Sequence, residues 1–389
     1  MIRNKAMLSL LSVALSFGYP GWGQQLTWTN RTPAFINPVN AVAFGGGRFV
    51  AVGSLGSLWY SDDGANWSSL SQVHLNSYRA ITHAAGYWIG VGDGLTADIS
   101  GDGSSWKHLA GSNDNLQGVA FGGGLFVAVG ASGAVLVSPN ATDWLRRYPP
   151  RSGNNTVSLY DVAYGNGQFV AVGFTPTPAG AAVRCSPDGL AWTNSPVVPS
   201  LSALLGVAYG NGLFVAVTAN AFFTSSDGQN WTNQPSGLTN SLKRVRFANG
   251  TFLAVGGDLY VPDSGVVLSS SNGVDWTSLF SGSLDFVSDI AFGNGTYVAV
   301  GGGVSSGGMI LQSGSQTPGQ VSARVLPGAG LEVKIVGEVG RSYRLQAAPA
   351  LSGVPWTNLL SFTLSSPTTG MVDAAAIQMP QRFYRLQSP

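Results

Sequence analysis

Val42-Ala43-Phe44-Gly45-Gly46-Gly47-Arg48-Phe49-Val50-Ala51-Val52-Gly53, followed by Ser61-Asp62-Asp63-Gly64-Ala65-Asn66-Trp67, is the stretch that decides the fold. Its pattern recurs: an apolar-Ala-aromatic strand, a Gly turn, an aromatic-Val-Ala-Val strand, then Ser-x-Asp-Gly-x-x-Trp. Later copies end at Trp106, Trp144, Trp192, Trp231 and Trp276, spaced 38 to 48 residues apart. Short strands and Gly turns repeating at that period predict β-propeller blades. A seventh copy starts at Ile290 and stops at Ser313 without its Asp-Gly and Trp. Leu26-Thr27-Trp28-Thr29-Asn30 matches Trp192-Thr193-Asn194 and Trp231-Thr232-Asn233, so it is expected to supply the missing outer strand and to leave no open sheet edge. The expectation is an all-β chain: a seven-bladed propeller over 24–316, closed by an N-terminal strand, plus a smaller C-terminal unit.

Each blade parses into four strands. The second (Phe49-Val50-Ala51-Val52 and its equivalents) is apolar almost throughout because both faces meet neighbouring blades. Blade 2 has drifted most, with Ile81-Thr82-His83 for the inner strand and Tyr87-Trp88-Ile89-Gly90-Val91 for the second. Cys185, the one cysteine, stands where other blades have Tyr60, Val137 and Thr224, and is expected to be a buried structural thiol.

Arg3 and Lys5, an apolar run from Ala6 to Phe17, a Tyr19-Pro20 breaker and small residues at Gly21 and Gly23 predict a secretory signal peptide over 1–23. A secreted or cell-surface protein follows. With one cysteine it has no internal disulfide and depends on packing. Net charge is +1 from 19 basic and 18 acidic residues, which offers no field for nucleic acid. No apolar run of spanning length follows the leader, so no membrane span is expected. A monomer is expected.

Ser61-x-Asp63-Gly64-x-x-Trp67 and the matching boxes at Ser100, Ser186 and Ser225, with weaker copies at Ser138 and Ser270, resemble the Asp-box of the bacterial neuraminidase repeat. The resemblance implies a sialidase-like or sortilin-like propeller in which the box is a fold element and its Asp residues are not catalytic. Here Asp and Gly are adjacent, one residue closer than in the usual box. The resemblance does not extend to sialidase chemistry. That family uses a Tyr–Glu nucleophile pair and three arginines, and residues 1–321 contain no glutamate. Beyond a linker at Ser315-Gln316-Thr317-Pro318-Gly319, the pattern Gly337-x-x-Gly340-x-x-Tyr343-Arg344-Leu345-Gln346, Trp356 and Arg382-Phe383-Tyr384-Arg385-Leu386 resembles a β-sandwich module at the ends of large secreted bacterial proteins. It is expected over 317–389.

Functional residues are sought where the blades differ. Positions at the start of the inner strands collect Asn40, Arg79, Gln117, Tyr160, Asp161, Lys243, Arg244 and Asp289, both charges, two amides and a ring, at the expected mouth of the central channel. A non-catalytic propeller binding an extracellular glycan or protein at this mouth is the leading expectation. The alternative is a carbohydrate-active hydrolase or lyase using Asp161 and Asp289 as acid and base. These two are expected to be solvated, across the ring from each other and too far apart for a glycosidase pair. Three connections that break the repeat, Arg146–Tyr160, Phe174–Ala182 and Asp258–Gly265, are candidate pocket walls. His74, His83 and His108 show no ligand spacing, so no metal and no cofactor are expected.

Overall fold

The computed structural model describes residues 26–314 apart from 34–36, 72–73, 95–96, 110–113, 148–156, 177, 196–199, 201, 235–240, 259, 281–283 and 304–306; beyond 314 it describes chiefly the strands, and before 26 only Leu15–Ser16. The signal peptide expected over 1–23 therefore lies outside the described residues except for Leu15–Ser16. Among the described residues no helix is long and apolar enough to cross a membrane. The chain divides into two compact units, one over Gln25–Gly314 and one made of Met1–Gln24 with Ser315–Pro389.

The first unit is a ring of seven four-stranded antiparallel sheets. In blade 1 these are Val39–Gly45, Arg48–Gly53, Leu58–Ser61 and Ser68–Ser69, from inner to outer. Blade 7 consists of Val287–Gly293, Thr296–Gly303, Gly307–Ser313 and the N-terminal strand Trp28–Asn30. That strand pairs Trp28 with Ser313 and Asn30 with Leu311. The closure expected from the truncated seventh copy is thus present. Trp28 Nε1 donates to the Leu279 carbonyl of blade 6 at 3.1 Å, so the closing strand also ties blade 7 to its neighbour.

The repeated Ala-aromatic-Gly tripeptide explains how blades stack. A Cβ added at Gly122 would lie 1.9 Å from the Tyr164 ring of the next blade, and one at Gly165 would lie 2.0 Å from Tyr209. Gly210 stands in the same relation to Phe247, Gly293 to Phe44, and Gly45 to His83. At five of the seven junctions the aromatic ring therefore fills space left by the preceding blade's glycine, while Ala84 and Ala248 take the glycine's place before Phe121 and Phe292. His83 takes the aromatic place in blade 2 and also packs on Trp88 at 4.7 Å between centroids.

The Ser-Asp-Gly-Trp turn has the expected local geometry and a second role. Asp63 Oδ1 accepts N–H groups of Ala65 and Asn66 at 2.8 Å, Gly64 N–H donates to Ser61 Oγ at 2.8 Å, and Trp67 Nε1 donates to the Gly64 carbonyl at 3.0 Å. These donors, first among them the Asn66 N–H, hold the Asp63 carboxyl at about 2. Gly64 has φ +75 and Gly228 φ +68, where a side chain is strained. The turn also grips the preceding blade. Asn294 Nδ2 of blade 7 donates to the Asp62 carbonyl at 2.8 Å, and Gln168 Nε2 of blade 4 donates to the Asp227 carbonyl. Cys185 is buried and its thiol donates to the Gly228 carbonyl at 3.2 Å. Burial and the nearby Asp227 push it up to about 11, which makes it a structural thiol.

In the second unit, Gln320–Leu326, Gly330–Val336 and Thr368–Asp373 form one sheet, and Ser342–Ala348, Thr357–Thr363 and Phe383–Gln387 form another. Leu15–Ser16 runs parallel beside Phe383–Gln387. The Tyr384 hydroxyl donates to Asp373 at 2.9 Å, linking the sheets through a buried polar pair.

Two stability measurements follow from this packing. Deleting residues 26–30 should lower the melting temperature by about 4 °C or more and promote aggregation, because one point of stability in a domain this size moves Tm by about 2–4 °C per kcal/mol and an edge is exposed. An unchanged Tm in differential scanning calorimetry would refute closure by this strand. Burial lowers the His83 pKa below 6.5, so the unfolded chain takes up a proton that the folded chain resists. Stability is therefore full above pH 6.5 and is lost as pH falls below it. His83→Phe should shrink the Tm difference between pH 7.5 and pH 5.

Candidate functional site at the mouth of the channel

Six of the seven inner strands carry a bulge at the same place. The register slips between Val39 and Ala41, Tyr78 and Ala80, Leu116 and Gly118, Leu159 and Asp161, Leu242 and Arg244, and Val287 and Asp289. The extra residues are Asn40, Arg79, Gln117, Tyr160, Lys243 and Ser288. Bulges re-aim side chains at barrel and sheet rims. Here they give a ring of dissimilar side chains at one level of the inner strands, whose free edges look onto the channel. Five of the residues singled out from the sequence belong to this ring: Asn40, Arg79, Gln117 and Tyr160 are half-buried, and Lys243 is exposed.

The other three, Asp161, Arg244 and Asp289, sit one residue further in, and the structure corrects the reading of them as solvated mouth residues. Their relative exposures are 1%, 5% and 0%. The aspartates are not separated by an open channel either, because Arg246 of blade 6 joins them. Its Nε and one terminal nitrogen donate to the two oxygens of Asp289, both at 2.9 Å, and its other terminal nitrogen lies 3.7 Å from Asp161. Burial alone would lower the Arg246 pKa, but the two carboxylates outweigh it and raise it.

Each aspartate also ties two blades together through the main chain. Asp161 accepts the Val162 N–H at 3.0 Å and the Val207 N–H of blade 5 at 3.3 Å. Asp289 accepts the Ile290 N–H at 3.0 Å and the Val42 N–H of blade 1 at 3.4 Å. Such carboxylates, buried and with their oxygens occupied by donors, have no free face for a water nucleophile. Their chemistry is that of braces.

Arg244 reaches across the channel. It donates to Asp289 at 3.3 Å and to the main-chain carbonyl of Arg79, in blade 2, at 3.4 Å. Its Nε is buried without an acceptor. Arg79 itself forks onto Asp93, with distances of 3.1, 3.1 and 2.6 Å, and Asn40 Nδ2 donates to the Tyr78 carbonyl at 2.7 Å. Lys243 meets solvent, yet the surrounding walls withdraw hydration and Arg244 and Arg79 repel its charge. Together these pull it to about 8, with Asp161 opposing. The mouth is thus a ring of polar and aromatic side chains above a floor of paired arginines and aspartates.

Sequence comparison of the blades missed Arg246, although Val245-Arg246-Phe247 carries the signal: the equivalent residue is Ala43, Ala120, Ala163, Ala208 and Ala291 in five blades and Thr82 in blade 2. Of the three expected pocket walls, most of 146–160 lies outside the described residues. Gln168–Pro176 and Ala179–Ser186 form a long hairpin that extends blade 4. Asp258–Gly265 is a turn in which Ser264 Oγ donates to the carbonyls of Asp258 and Val261. Separately, His74 and His108 converge on Asp98 in blade 2, a grouping their spacing did not reveal.

No family model and no curated protein matches the chain. Solved structures do. A catalytically inactive virginiamycin B lyase from Staphylococcus aureus, with quinupristin, aligns at TM-score 0.60 and 9% identity over 74% of this chain and 99% of that one. YCF48 bound to D1 peptide aligns at 0.56 and 14% over 76% and 98%, and the WD40 propeller domain of Doa1 at 0.56 and 11% over 76% and 98%. The chain is a seven-bladed β-propeller whose neighbours differ in function. At these identities the likeness concerns the fold, and the Asp-box and sialidase resemblance gains no family match.

Arg246→Ala should destabilise the propeller by about 3–5 kcal/mol in urea unfolding, since it takes the guanidinium away from buried Asp161 and leaves buried Asp289 with Arg244. Adding Asp161→Ala, the residue type of Ala41 and Ala80, should recover part of that loss. A double variant that is simply additive would refute the coupling.

Proposed function

We propose that this is a secreted, non-catalytic propeller that binds an extracellular glycan or protein at the channel mouth. The observation that carries this reading is the ring itself. Bulges at one register position display Asn40, Arg79, Gln117, Tyr160 and Lys243, each different, on a scaffold whose packing positions hardly vary. An asymmetric ligand is read by amides, a ring face and cations placed in this way. The buried Arg244 Nε without an acceptor and the mutual repulsion of Lys243, Arg244 and Arg79 both favour a ligand that brings hydrogen-bond acceptors or negative charge. The leader-like start and the resemblance of the C-terminal module to those of exported proteins support the extracellular setting, with the box turns as Asp-box-like fold elements of a sialidase-like or sortilin-like propeller acting as a monomer.

The neighbouring structures include both a lyase and a peptide-bound propeller, so the fold favours neither class. The site argues against the carbohydrate-active alternative, because Asp161 and Asp289 are occupied as braces. A screen of the full chain against glycan and peptide arrays, with reducing ends and unsaturated products followed in parallel, separates the two readings. Retention of a ligand without turnover is expected.

For a ligand found this way, Lys243→Met and Tyr160→Ala should each weaken binding about tenfold or more without lowering Tm, since neither position is buried. Lys243 loses its charge as pH rises through about 8, so affinity should fall between pH 7 and 9 in the parent and stay flat in Lys243→Met. Affinity that survives both changes but is lost in Trp356→Ala would assign binding to the C-terminal module instead.

A further inference from the structure

Blade 2 departs from the repeat at four register positions, on all four of its strands. Tyr78 stands where the other inner strands have Val39, Leu116, Leu159, Leu242 and Val287, each opposite the equivalent glycine. Gly90 replaces the alanine of Ala51, Ala128, Ala171, Ala216, Ala254 and Ala299. Opposite Gly90, Asp98 stands where the other blades have Trp59, Leu136, Arg184, Phe223, Leu268 and Leu311. Opposite Asp98 stands His108.

The four departures converge on one point. Asp98 is wholly buried. Its oxygens lie 2.9 Å from His74 Nε2 and 2.8 Å from His108 Nδ1, and one accepts the Tyr78 hydroxyl. Gly90 allows this, because a Cβ there would stand 3.1 Å from the Tyr78 ring. The imidazoles meet edge to face at 5.5 Å between centroids. His74 and His108 side chains are 13% and 40% exposed, so solvent reaches the cluster from the imidazole side while Asp98 is sealed beneath.

We propose that His74, Asp98 and His108 form a binding site for a divalent transition-metal ion of the Zn2+ class. Among the described residues this is the one grouping whose ligand atoms all lie within 4.8 Å of one another. Ligand atoms about 2.1 Å from a tetrahedral ion are separated by roughly 3.4 Å, so the two nitrogen–oxygen contacts would open by about half an ångström, and the widest separation, within 4.8 Å, would close by up to about 1.4 Å. Two imidazoles and one carboxylate suit Zn2+, Co2+, Ni2+ or Cu2+ and disfavour Mg2+ or Ca2+. With three protein ligands, the fourth position faces solvent.

The protons balance. His74 Nδ1 accepts the Asn76 N–H at 3.0 Å, so Nε2 carries the proton given to Asp98. Metal binding moves that proton to Nδ1 and the His108 proton from Nδ1 to Nε2, with no net release. The Asn76 N–H, on an exposed segment, then turns to water. One exposed hydrogen bond is small beside the metal–ligand bonds formed. Tyr78 keeps its proton and orients the carboxylate.

The test uses the tag-free full chain, stripped with EDTA and dialysed against Zn2+ or Co2+. One bound equivalent of Zn2+ by elemental analysis, a higher Tm, and visible Co2+ bands that Zn2+ displaces are expected. His108→Ala and His74→Ala should abolish stoichiometric binding, while His83→Ala, which removes the remaining histidine, should keep it. Tyr78→Phe should weaken Zn2+ binding about 10- to 100-fold. The circular dichroism of each variant checks its fold. The Co2+ spectrum of the parent protein stands independently of them. Absence of stoichiometric binding by the parent, or binding unchanged in both His74→Ala and His108→Ala, overturns the proposal and leaves the cluster a hydrogen-bonded packing layer.

Discussion

An aromatic ring seated over a neighbour's glycine is the contact on which the propeller depends. Tyr164 over Gly122, Tyr209 over Gly165, Phe247 over Gly210 and Phe44 over Gly293 repeat it around the ring. The geometry leaves little tolerance: a single methyl at the glycine would sit inside the ring it faces. The contact is also directional, from a blade to the one before it at five of the seven junctions, so it defines a handed order of assembly rather than a generic apolar interface. Its last instance, Phe44 over Gly293, joins the first blade to the seventh. The seventh blade in turn is completed by Trp28–Asn30. Ring packing and strand closure are therefore one constraint met twice, once by side chains and once by main-chain pairing.

A ring built in this way leaves each inner strand with one edge that has no strand partner, and the free N–H groups along that edge need acceptors. Asp161 and Asp289 supply them for Val207 and Val42. Two buried carboxylates then require counter-charge, which Arg246 and Arg244 provide from blade 6. Well-packed apolar residues at such positions are often at least as stable as an ion network. What the network adds is a fixed relation among blades 2, 4, 6 and 7, since its members contact one another across the channel and not only around the ring.

The number of blades, the closing strand, the turn chemistry of Ser61–Trp67 and the inert Cys185 were all legible in the sequence, because each rests on local pattern and on a period that repeats. Asp161, Arg244 and Asp289 were legible as departures but misplaced in their environment. A repeat reveals that a residue differs from its equivalents; it does not reveal which non-adjacent blade its side chain reaches. The bulge at Asn40, Arg79, Gln117, Tyr160 and Lys243 shifts the side chains by one position, and strict alternation cannot show that. Arg246 lies two residues beyond the variable strand start, inside the otherwise repetitive Val-Ala-aromatic segment, where a departure carries no sign of facing the channel.

The same lesson applies to His74, Asp98 and His108. Read by linear spacing they form no motif, since they fall on a connection, a third strand and an outer strand. Read by register, Gly90, Asp98 and His108 lie side by side across one blade, and Tyr78 comes from the strand beyond. A lone departure such as Cys185 is explained by its own packing. Several departures that meet at one layer are different, because the changes support one another: Asp98 would be a buried charge without its donors, and an alanine at position 90 would crowd the Tyr78 ring that reaches it. Such mutual dependence is evidence of a built arrangement whichever ion or proton occupies it, and in a repeat protein it is found by aligning the blades in space rather than along the chain.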